Sequence, residues 1–360
     1  MNDRIIRIEL VPARIKLKKP FVISLGRVDY ADNVFVRMET SSGLSGFGEC
    51  CPFRPVNGES QETALVVGKY LSEALKGQDP LDIGTCTKRM DSSIYGNFSI
   101  KSAFDMALYD IAARAAGLPL HAYLGSHMNR PLLTDYTVSI GESRQMARDA
   151  AELVQEGYRA IKVKVGRRKE EDLECIRLIR EAIGTDIPVR LDANQGWDVS
   201  TAIAILSEME GMNIEFCEEP IPRWDFMNLG RVRKASPVPI MADETCSDDH
   251  DLERLLELQA CDYVNIKLGK SGGLYKAGKM LKLAEQAGMK VQIGGFVESR
   301  LGFTASAHLA LSSACVQWCD FDTPLMLEED PCEGGIRYLP GGEVVIPEKP
   351  GLGASLRLPV

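Results

Sequence analysis

Two lysines lie two residues apart in an apolar stretch, Ile161–Val165, where Lys162 and Lys164 alternate with β-branched side chains. Side chains alternate between the two faces of a strand, so both ammonium groups point to the same side. Two like charges held together are expected to lower each other's pKa. A lysine prepared in this way can accept a proton at neutral pH, as a general base does. Taken alone, the same pattern is also typical of a solvated strand face.

Carboxylates end the next three predicted strands along the chain, at Asp192, Glu218 and Asp243. Glu219 follows Glu218 directly, and strand alternation says only that one of this pair points inward. Three carboxylates at neighbouring strand ends, with no His or Cys needed among them, form a hard-oxygen site that suits Mg²⁺ or Mn²⁺. A further lysine, Lys267, ends the strand that follows these three.

The elements that must position these residues alternate regularly from about residue 132. Eight strands are predicted, at Thr134–Ser139, Ala160–Val165, Val189–Asn194, Ile214–Glu219, Val238–Glu244, Tyr263–Leu268, Val291–Gly295 and Trp318–Asp322. The residues at the ends of strands 2 to 8 are 164, 192, 218, 243, 267, 294 and 320, so successive ends lie 24 to 28 residues apart. Amphipathic helices fill the intervals at Ser143–Glu156, Lys169–Ile183, Ser200–Met209 and Leu274–Ala287.

Eight βα units of this length predict an α/β fold, a closed (β/α)₈ (TIM) barrel with its active site at the C-terminal strand ends. The structural alternative is a doubly wound open sheet. That fold would usually carry a Gly-rich phosphate turn after its first strand, and the sequence Ser-Ile-Gly-Glu at 139–142 is not one.

The two ends of the chain have a different pattern and predict an α+β capping domain, residues 1–130 completed by 328–360, around a barrel domain at 131–327. A β-meander and two helices are expected at Arg4–Pro12, Asn33–Glu39, Ser45–Glu49, Gln61–Leu75 and Ile100–Ala116. Between the first two strands, Lys18–Arg27 is interpreted as a loop with a glycine that could hinge. A C-terminal hairpin around 340–342 is expected to pack back on the first domain.

Composition excludes several classes of protein. The net charge is 42 − 51 = −9 without a basic block, which argues against nucleic acid or an anionic membrane as a partner. No apolar run approaches the roughly 18 residues of a membrane span, and residues 1–4 lead straight into a strand pattern rather than a signal peptide. The ten cysteines include no C-x-x-C pair, so no structural zinc site is predicted. Disulfides are not predicted either, because Cys50 and Cys51 are adjacent and other cysteines fall in predicted helices or strands, at 175, 217, 261 and 319. A reducing cytoplasm is the expected location.

In a barrel, the positions of the strands predict where Lys164, Lys267 and two further acids lie relative to one another. Strands 2 and 6 lie on opposite sides of an eight-stranded ring, so Lys164 and Lys267 are expected to face each other across the metal. Two lysines on opposite faces of one substrate carbon are what a two-base proton transfer requires. Strand 8 ends in Asp320 and Asp322, which should both face the barrel mouth and suit a cationic substrate group. A helix N-cap or a solvated loop would be the other interpretations of this pair.

This set of motifs resembles the enolase superfamily, in its muconate-lactonizing-enzyme subgroup, over nearly the whole chain. The matching residues are the K-x-K of Lys162 and Lys164, then Asp192, Glu218, Asp243 and Lys267. The resemblance implies that the three carboxylates hold Mg²⁺ and that the two opposed lysines remove and return an α-proton. It also implies that the metal and the remaining lysine stabilise an ene-diolate.

Other residues enter only through this resemblance. The family's E-[E/Q]-P pattern selects Glu218 rather than Glu219 as the metal ligand. Asn194 and Glu244 would orient the metal ligands or the Lys267 ammonium. The loop at 295–302, which includes Ser299, is similar to the strand-7 loop of the dipeptide epimerases, so Ser299 is expected near the substrate.

The substrate class follows from the same comparison. In dipeptide epimerases a D-x-D pair like Asp320 and Asp322 binds the α-ammonium of the dipeptide. Members that act on Ala-Glu carry an arginine in the capping loop, where this sequence has Leu25, with Arg27 two residues on and Arg54 in the next loop. A dipeptide whose second residue is not firmly acidic is therefore favoured, although an Ala-Glu-like substrate stays open.

The leading hypothesis is a Mg²⁺-dependent isomerase, a dipeptide epimerase that works by 1,1-proton transfer next to the C-terminal carboxylate. The loop at 51–58 resembles relatives that act on proline-type amino acids, so a racemase, epimerase or dehydratase of an N-substituted or proline-type amino acid is the alternative. A binding protein that kept only the barrel would be expected to lack a lysine or a carboxylate, and none of the six is missing. Analogy with the family also predicts a homo-oligomer.

Overall fold

The computed structural model describes residues 3–126 and 130–357, so the outer ends of the predicted capping-domain ranges lie outside it. The first part of the chain is a three-stranded antiparallel sheet followed by helices. Its elements are β1 Ile5–Ile23, β2 Gly26–Thr40, β3 Ser45–Cys50, α1 Arg54–Asn57, α2 Gln61–Leu75, α3 Ile83–Ser93, α4 Phe98–Ala115 and α5 Leu120–Tyr123. Helix α2 has the predicted bounds, whereas α3 was not predicted.

Strands β1 and β2 form one long hairpin that turns at Ser24. The prediction of a hinge loop over Lys18–Arg27 is therefore wrong. The hairpin tip is fixed to the barrel mouth, because the Ile140 N–H donates to the Val22 carbonyl at 2.9 Å and the Ser24 hydroxyl donates to the Asn194 carbonyl at 2.7 Å. These partners lie far away in sequence, so local pattern could not reveal them.

The second part of the chain is an eight-stranded parallel sheet in sequential order, as predicted. Its strands are β5 Tyr136–Val138, β6 Ile161–Lys164, β7 Val189–Asp192, β8 Ile214–Glu218, β9 Ile240–Ala242, β10 Tyr263–Lys267, β11 Lys290–Gly294 and β12 Val316–Cys319, after a short β4 at Leu132–Leu133. A parallel bridge between Thr134 and Cys319 closes the ring. The predicted barrel is therefore confirmed, with strand bounds that differ from the predicted ones by at most three residues.

Helices surround this barrel, and a buried aliphatic core fills the space between them and the strands. They are α6 Ser143–Gln155, α7 Lys169–Ile183, α8 Val199–Glu208, α9 Phe226–Ala235, α10 Asp249–Glu257, α11 Leu268–Ser271, α12 Leu274–Gln286, α13 Arg300–Ala310 and α14 Thr323–Met326. Neighbouring parallel strands must be joined by crossover connections, and these helices form those connections. The strand ends are thereby held as a rigid rim.

The C-terminal tail contains β13 Cys332–Gly334, β14 Arg337–Leu339, β15 Glu343–Val345 and β16 Ala354–Leu356. The predicted hairpin exists as β14–β15, but β15 pairs with β4 at the barrel, so its expected packing on the first domain is wrong. The last segment does reach the first domain, where the Leu352 N–H donates to the Asp110 carboxylate at 2.7 Å. The division of the chain at residues 130 and 327 stays a prediction.

Helix α4 packs directly on β3, and Gly48 makes this approach possible. A Cβ at Gly48 would overlap the backbone carbonyl of Ala103. Gly48→Ala is therefore expected to lower the free energy of unfolding by about 3 kcal/mol, because the helix must move off the sheet. Urea denaturation measures this change.

Gly278→Ala in α12 is the matched control, because a Cβ there meets no heavy atom within 4 Å. Alanine has the higher helix propensity, so this variant should be neutral or more stable by up to about 1 kcal/mol. Equal unfolding free energies for the two variants would contradict the packing described for Gly48.

Candidate active site

Strand β6 places Lys162 and Lys164 on the same inner side of the barrel, as the sequence predicted. Both ammonium groups contact one carboxylate oxygen of Asp192, at 3.1 Å from Lys162 and 2.6 Å from Lys164. The Lys162 ammonium also contacts Glu218 at 2.9 Å and Asp320 at 2.7 Å. Lys162 is thus completely enclosed by carboxylates from strands β7, β8 and the end of β12.

The predicted lowering of the lysine pKa is wrong for Lys162. Burial by itself would lower its pKa, but the negative charges of Asp320, Glu218 and Asp192 outweigh burial and hold the pKa well above its ordinary value. The prediction considered only the neighbouring lysine on the same strand. Carboxylates supplied by other strands determine the sign of the shift, so Lys162 is a permanent cation here.

The three predicted metal-binding carboxylates are buried at the ends of neighbouring strands, with relative exposures of 0 to 1%. Burial would raise the pKa of Asp192, but the ammonium groups of Lys164 and Lys162 hold it at about 2. Burial and the nearby charge of Asp192 raise the pKa of Glu218 to about 7. The raised pKa of Glu218 indicates that its negative charge is stabilised when positive charge lies between the carboxylates.

Lysines supply that charge here, because Asp243 contacts the ammonium of Lys267 at 2.7 Å and that of Lys270 on its other oxygen. Within the described part of the chain, no three acidic, His or Cys side chains already converge as a set of metal ligands. The donor set is nevertheless all oxygen, anionic and shielded from water, which is what Mg²⁺ or Mn²⁺ prefers. The residues present therefore fit such a cation.

The structure also distinguishes the two adjacent glutamates. Glu218 points into the barrel, where its oxygens accept hydrogen bonds from the side-chain amides of Asn265 (2.7 Å) and Gln292 (3.3 Å). Glu219 has a left-handed backbone (φ 37°) and accepts from the backbone N–H groups of Asp243 and Thr245. Glu219 thus shapes the next strand end, while Glu218 faces the site.

Sequence reasoning missed both amide donors and the buried Lys270. Asn265 lies two residues before Lys267 and shares its face of β10, so strand alternation could have found it. Gln292 stands in the equivalent position on β11, two residues before Gly294. Lys270 lies in α11, after the strand, and carried no recognisable signal.

Asn194 and Glu244 lie beside Lys164 and are hydrogen-bonded to each other. The Asn194 side-chain oxygen accepts from the Lys164 ammonium at 3.1 Å, and its amide donates to Glu244 at 3.2 Å. The prediction that Asn194 and Glu244 orient the metal ligands or the Lys267 ammonium stays a prediction. In this structure the Asn194 backbone N–H donates to the Asp192 carboxylate at 2.9 Å. The second oxygen of Glu244 is buried and has no hydrogen-bond partner among the described residues.

Lys164 and Lys267 line one cavity at the barrel mouth, together with both acids of the D-x-D pair. Its other described walls come from Phe21, Ile23, Phe53, Val56, Thr137, Asn194, Glu244, Gly295, Phe296, Val297 and Thr323. The cavity measures about 40 Å³, roughly the space of one water molecule. A larger ligand therefore requires the residues that line this cavity to move apart.

The D-x-D pair reaches this cavity as predicted, but its two members differ. Asp320 contacts Lys162, whereas Asp322 accepts from the Thr137 backbone N–H at 2.6 Å. The other oxygen of Asp322 is buried and has no hydrogen-bond partner among the described residues. Burial and the nearby charge of Asp320 raise the pKa of Asp322 to about 7. An entering cation would relieve this repulsion.

Arg27 and Arg54, the candidate substrate-binding cations of the capping loops, lie outside the described lining of the catalytic cavity. Arg27 pairs across the hairpin with Val22, so it lies on the face opposite Phe21, and its guanidinium binds Asp29 at 2.7 Å. Arg54 is mostly exposed, 3.9 Å from Glu62. With Leu25, the two arginines line a second cavity of about 310 Å³. Phe53 and Val297 line both this cavity and the catalytic cavity.

Ser299 also differs from the prediction. It begins α13 and lies outside the described lining of the catalytic cavity. Its hydroxyl donates to Glu49 at 2.6 Å, and the same carboxylate accepts from the backbone N–H groups of Ser299 and Gly302 at 2.8 and 2.9 Å. A substrate contact is therefore not supported, and Ser299 instead binds the first domain to the barrel.

Known proteins share this arrangement over almost the entire chain. Residues 5–125 match the N-terminal domain model of the mandelate racemase/muconate lactonizing enzyme family, and residues 145–359 match the enolase C-terminal domain-like model. The chain belongs to this family. The superfamily resemblance inferred from the sequence is thereby confirmed.

Two relatives and one solved structure illustrate the similarity. D-Ala-D/L-Ala epimerase of Cytophaga hutchinsonii is 53% identical over 98% of this chain and 95% of its own. L-Ala-D/L-Glu epimerase of Bacillus subtilis is 38% identical over 97% of this chain and 96% of its own. The crystal structure of dipeptide epimerase from Cytophaga hutchinsonii, complexed with Mg and D-Ala-L-Val, superimposes with a TM-score of 0.98 at 52% identity, covering 99% and 97% of the two chains.

These relatives are isomerases, which confirms the predicted enzyme class. Helices in the described ranges, 3–126 and 130–357, are all too short or too polar to cross a membrane. All ten cysteines are free thiols, and nine of them are buried.

Proposed function

We propose that this protein is a Mg²⁺-dependent dipeptide epimerase that inverts the α-carbon next to the substrate's C-terminal carboxylate. One observation carries the proposal: a single cavity is lined by Lys164 of β6, Lys267 of β10 and the buried pair Asp320 and Asp322 after β12. Similar relatives are epimerases of dipeptides, and one was crystallised with Mg and a dipeptide. The site provides groups for both the acidic and the basic end of such a substrate.

Asp192, Glu218 and Asp243 would hold the metal, since they are the buried carboxylates of three neighbouring strands. A bound Mg²⁺ would withdraw electrons from the substrate carboxylate and so acidify the neighbouring α-proton. The Lys162 ammonium, held among these carboxylates, stabilises the negative charge that develops on the substrate. The carboxylates around Lys162 raise its pKa in this structure, which suits this electrostatic role better than that of a base.

Proton transfer is the work of the other two lysines. One of Lys164 and Lys267 removes the α-proton, and the other delivers a proton to the opposite face of the same carbon. In this structure their ammonium groups contact Asp192 and Asp243, respectively. Because Asp192 and Asp243 would hold the metal, both lysines would then be free to face the cavity that they line. Asn194 remains beside Lys164 to orient it.

The free oxygen of Asp322 and the neighbouring Asp320 would bind the α-ammonium of the substrate. A buried carboxylate without a donor is costly, so a cation that fits between the two acids is strongly favoured. N-acylated amino acids lack this ammonium, which argues against the alternative of an N-substituted substrate. A dehydratase would instead need an acid at a leaving group.

The second residue of the dipeptide is proposed to be uncharged. Leu25 replaces the arginine expected for an acidic side chain, and Arg27 is turned away and paired with Asp29. The walls at Phe53 and Phe296 are aromatic. Small or apolar side chains therefore fit this cavity better than a carboxylate does.

A dipeptide panel tests the function and this preference together. Epimerisation of Ala-Ala, Ala-Val, Ala-Leu and Ala-Glu at the C-terminal residue is followed by chiral chromatography with Mg²⁺ present. We expect kcat/KM for the best uncharged dipeptide to exceed that for Ala-Glu by about tenfold or more, because burying an unpaired carboxylate costs more than 1.4 kcal/mol.

Arg27→Ala is the control for this panel and should leave all values within about twofold. A loss of Ala-Glu turnover in this variant would show that Arg27 does reach the substrate. Turnover of N-acylamino acids or proline betaines, with no dipeptide accepted, would overturn the proposed function.

The amide of Asn265 should matter for metal binding, since it holds Glu218 in place. Asn265→Leu is expected to weaken Mg²⁺ binding by about tenfold or more, as the loss of an outer hydrogen bond to a metal ligand typically does. Calorimetric titration of Mg²⁺ without substrate measures the effect. Unchanged affinity would show that Glu218 is not a ligand or does not need this support.

The location and assembly of the protein belong to the same proposal. Free, buried thiols and a net charge of −9 suit a reducing cytoplasm. Association into a homo-oligomer is proposed by analogy with the family, and light scattering of the purified protein would test it.

A further inference from the structure

Each of the two opposed lysines lies over the face of its own aromatic ring. The Lys164 ammonium is 5.6 Å from the ring centre of Phe21, and the Lys267 ammonium is 5.3 Å from that of Phe296. Both rings are buried, with exposures of 9% and 7%, and both line the catalytic cavity. These distances lie within the range in which an ammonium is attracted by the negative face of a ring.

We propose that Phe21 and Phe296 are positioning residues, each assigned to one lysine, and that each ring supports proton transfer on its own face of the substrate carbon. This inference rests on the proposed two-base function and adds the residues that hold the bases when the carboxylates are engaged elsewhere. It predicts a division of labour between the first domain, which supplies Phe21, and the barrel, which supplies Phe296.

The need for the rings follows from the double use of two carboxylates. Asp192 and Asp243 now bind the two lysines, and these carboxylates are also the proposed metal ligands. With these carboxylates holding a metal, each lysine would lack its carboxylate partner. The lysine that accepts the α-proton then carries its charge in a cavity with little water. A ring face beneath it stabilises that charge without competing for the proton.

The two rings are held independently of each other. Phe21 is fixed by the hairpin, whose neighbouring residue Val22 accepts a backbone hydrogen bond from Ile140. Phe296 follows β11, where its backbone N–H donates to Glu298 at 2.5 Å and its carbonyl accepts from Thr323 at 2.9 Å. A change at one ring should therefore leave the other ring and its lysine in place.

The experiment compares Phe21→Leu with Phe296→Leu in D₂O, with Mg²⁺ and each of the two epimers of one dipeptide. Leucine keeps an apolar wall but removes the ring. The rate of α-proton exchange is measured separately from each epimer, and Lys164→Ala and Lys267→Ala establish which lysine deprotonates which epimer. Each ring variant should slow exchange from the epimer of its own lysine by about tenfold, which is about 1.4 kcal/mol. Exchange from the other epimer should change by less than about twofold.

The ratio of the two rates within one variant does not depend on how much of the protein is folded. The proposal is overturned if each ring variant slows both epimers by the same factor, changes neither, or affects the epimer of the other lysine. If the lysine variants separate the epimers and the ring variants do not, only the role of the rings fails. If the lysine variants do not separate them, the two-base function itself fails.

Discussion

Lys164→Ala and Lys267→Ala are each expected to reduce net epimerisation of a dipeptide by about 10⁴-fold. Inversion requires a base on one face of the α-carbon and an acid on the other, and each variant removes one of the two. Both side chains line the same cavity on strands from opposite sides of the ring. Chiral chromatography of the dipeptide products gives the net rate.

Each variant should nevertheless keep α-proton exchange with one epimer, because the surviving lysine can remove and return a proton on its own face. Lys101→Ala is the matched control, since Lys101 is a buried lysine that binds Asp91 at 3.0 Å and lies outside the described lining of the catalytic cavity. That variant should retain epimerisation. Full activity of both cavity variants would make the two-base assignment wrong.

Asp322→Asn is expected to lower kcat/KM for a dipeptide by about 100-fold or more, mainly through KM. The substrate ammonium would lose a buried charge partner, which typically costs several kcal/mol. Asparagine keeps an oxygen that can accept from the Thr137 N–H, so the local fold should persist. Initial rates over a range of dipeptide concentrations give both constants.

An N-acetylated dipeptide provides the control for Asp322→Asn, because it has no ammonium. Wild type and variant should turn over this analogue equally poorly. If the variant lost the same factor with both substrates, Asp322 would act on the fold or on the lysines and not on the ammonium.

The barrel and its rim could be predicted because strand ends recur at a nearly constant interval. Asp192, Asp243 and Lys267 needed only that spacing and the rule that active sites lie at the C-terminal ends. The choice of Glu218 over Glu219 needed the family's E-[E/Q]-P pattern as well. The structure places all four residues in or beside one cavity.

Properties that depend on contacts between distant segments could not be predicted. The sign of the Lys162 pKa shift is determined by carboxylates from three other strands. The face of the hairpin on which Arg27 lies is decided by strand register and not by residue type. Ser299 faces Glu49 for a similar reason, since the first domain packs against the start of α13. Local sequence pattern contains none of this information.

The most direct test of the account is the site of deuterium incorporation in wild-type enzyme. An L,L-dipeptide with an uncharged second residue is incubated with Mg²⁺ in D₂O and followed by proton NMR. The account predicts deuterium at the α-carbon of the C-terminal residue together with a new diastereomer, while the α-proton of the first residue is retained. Deuterium at the first residue, or at neither residue for every dipeptide tried, would contradict it.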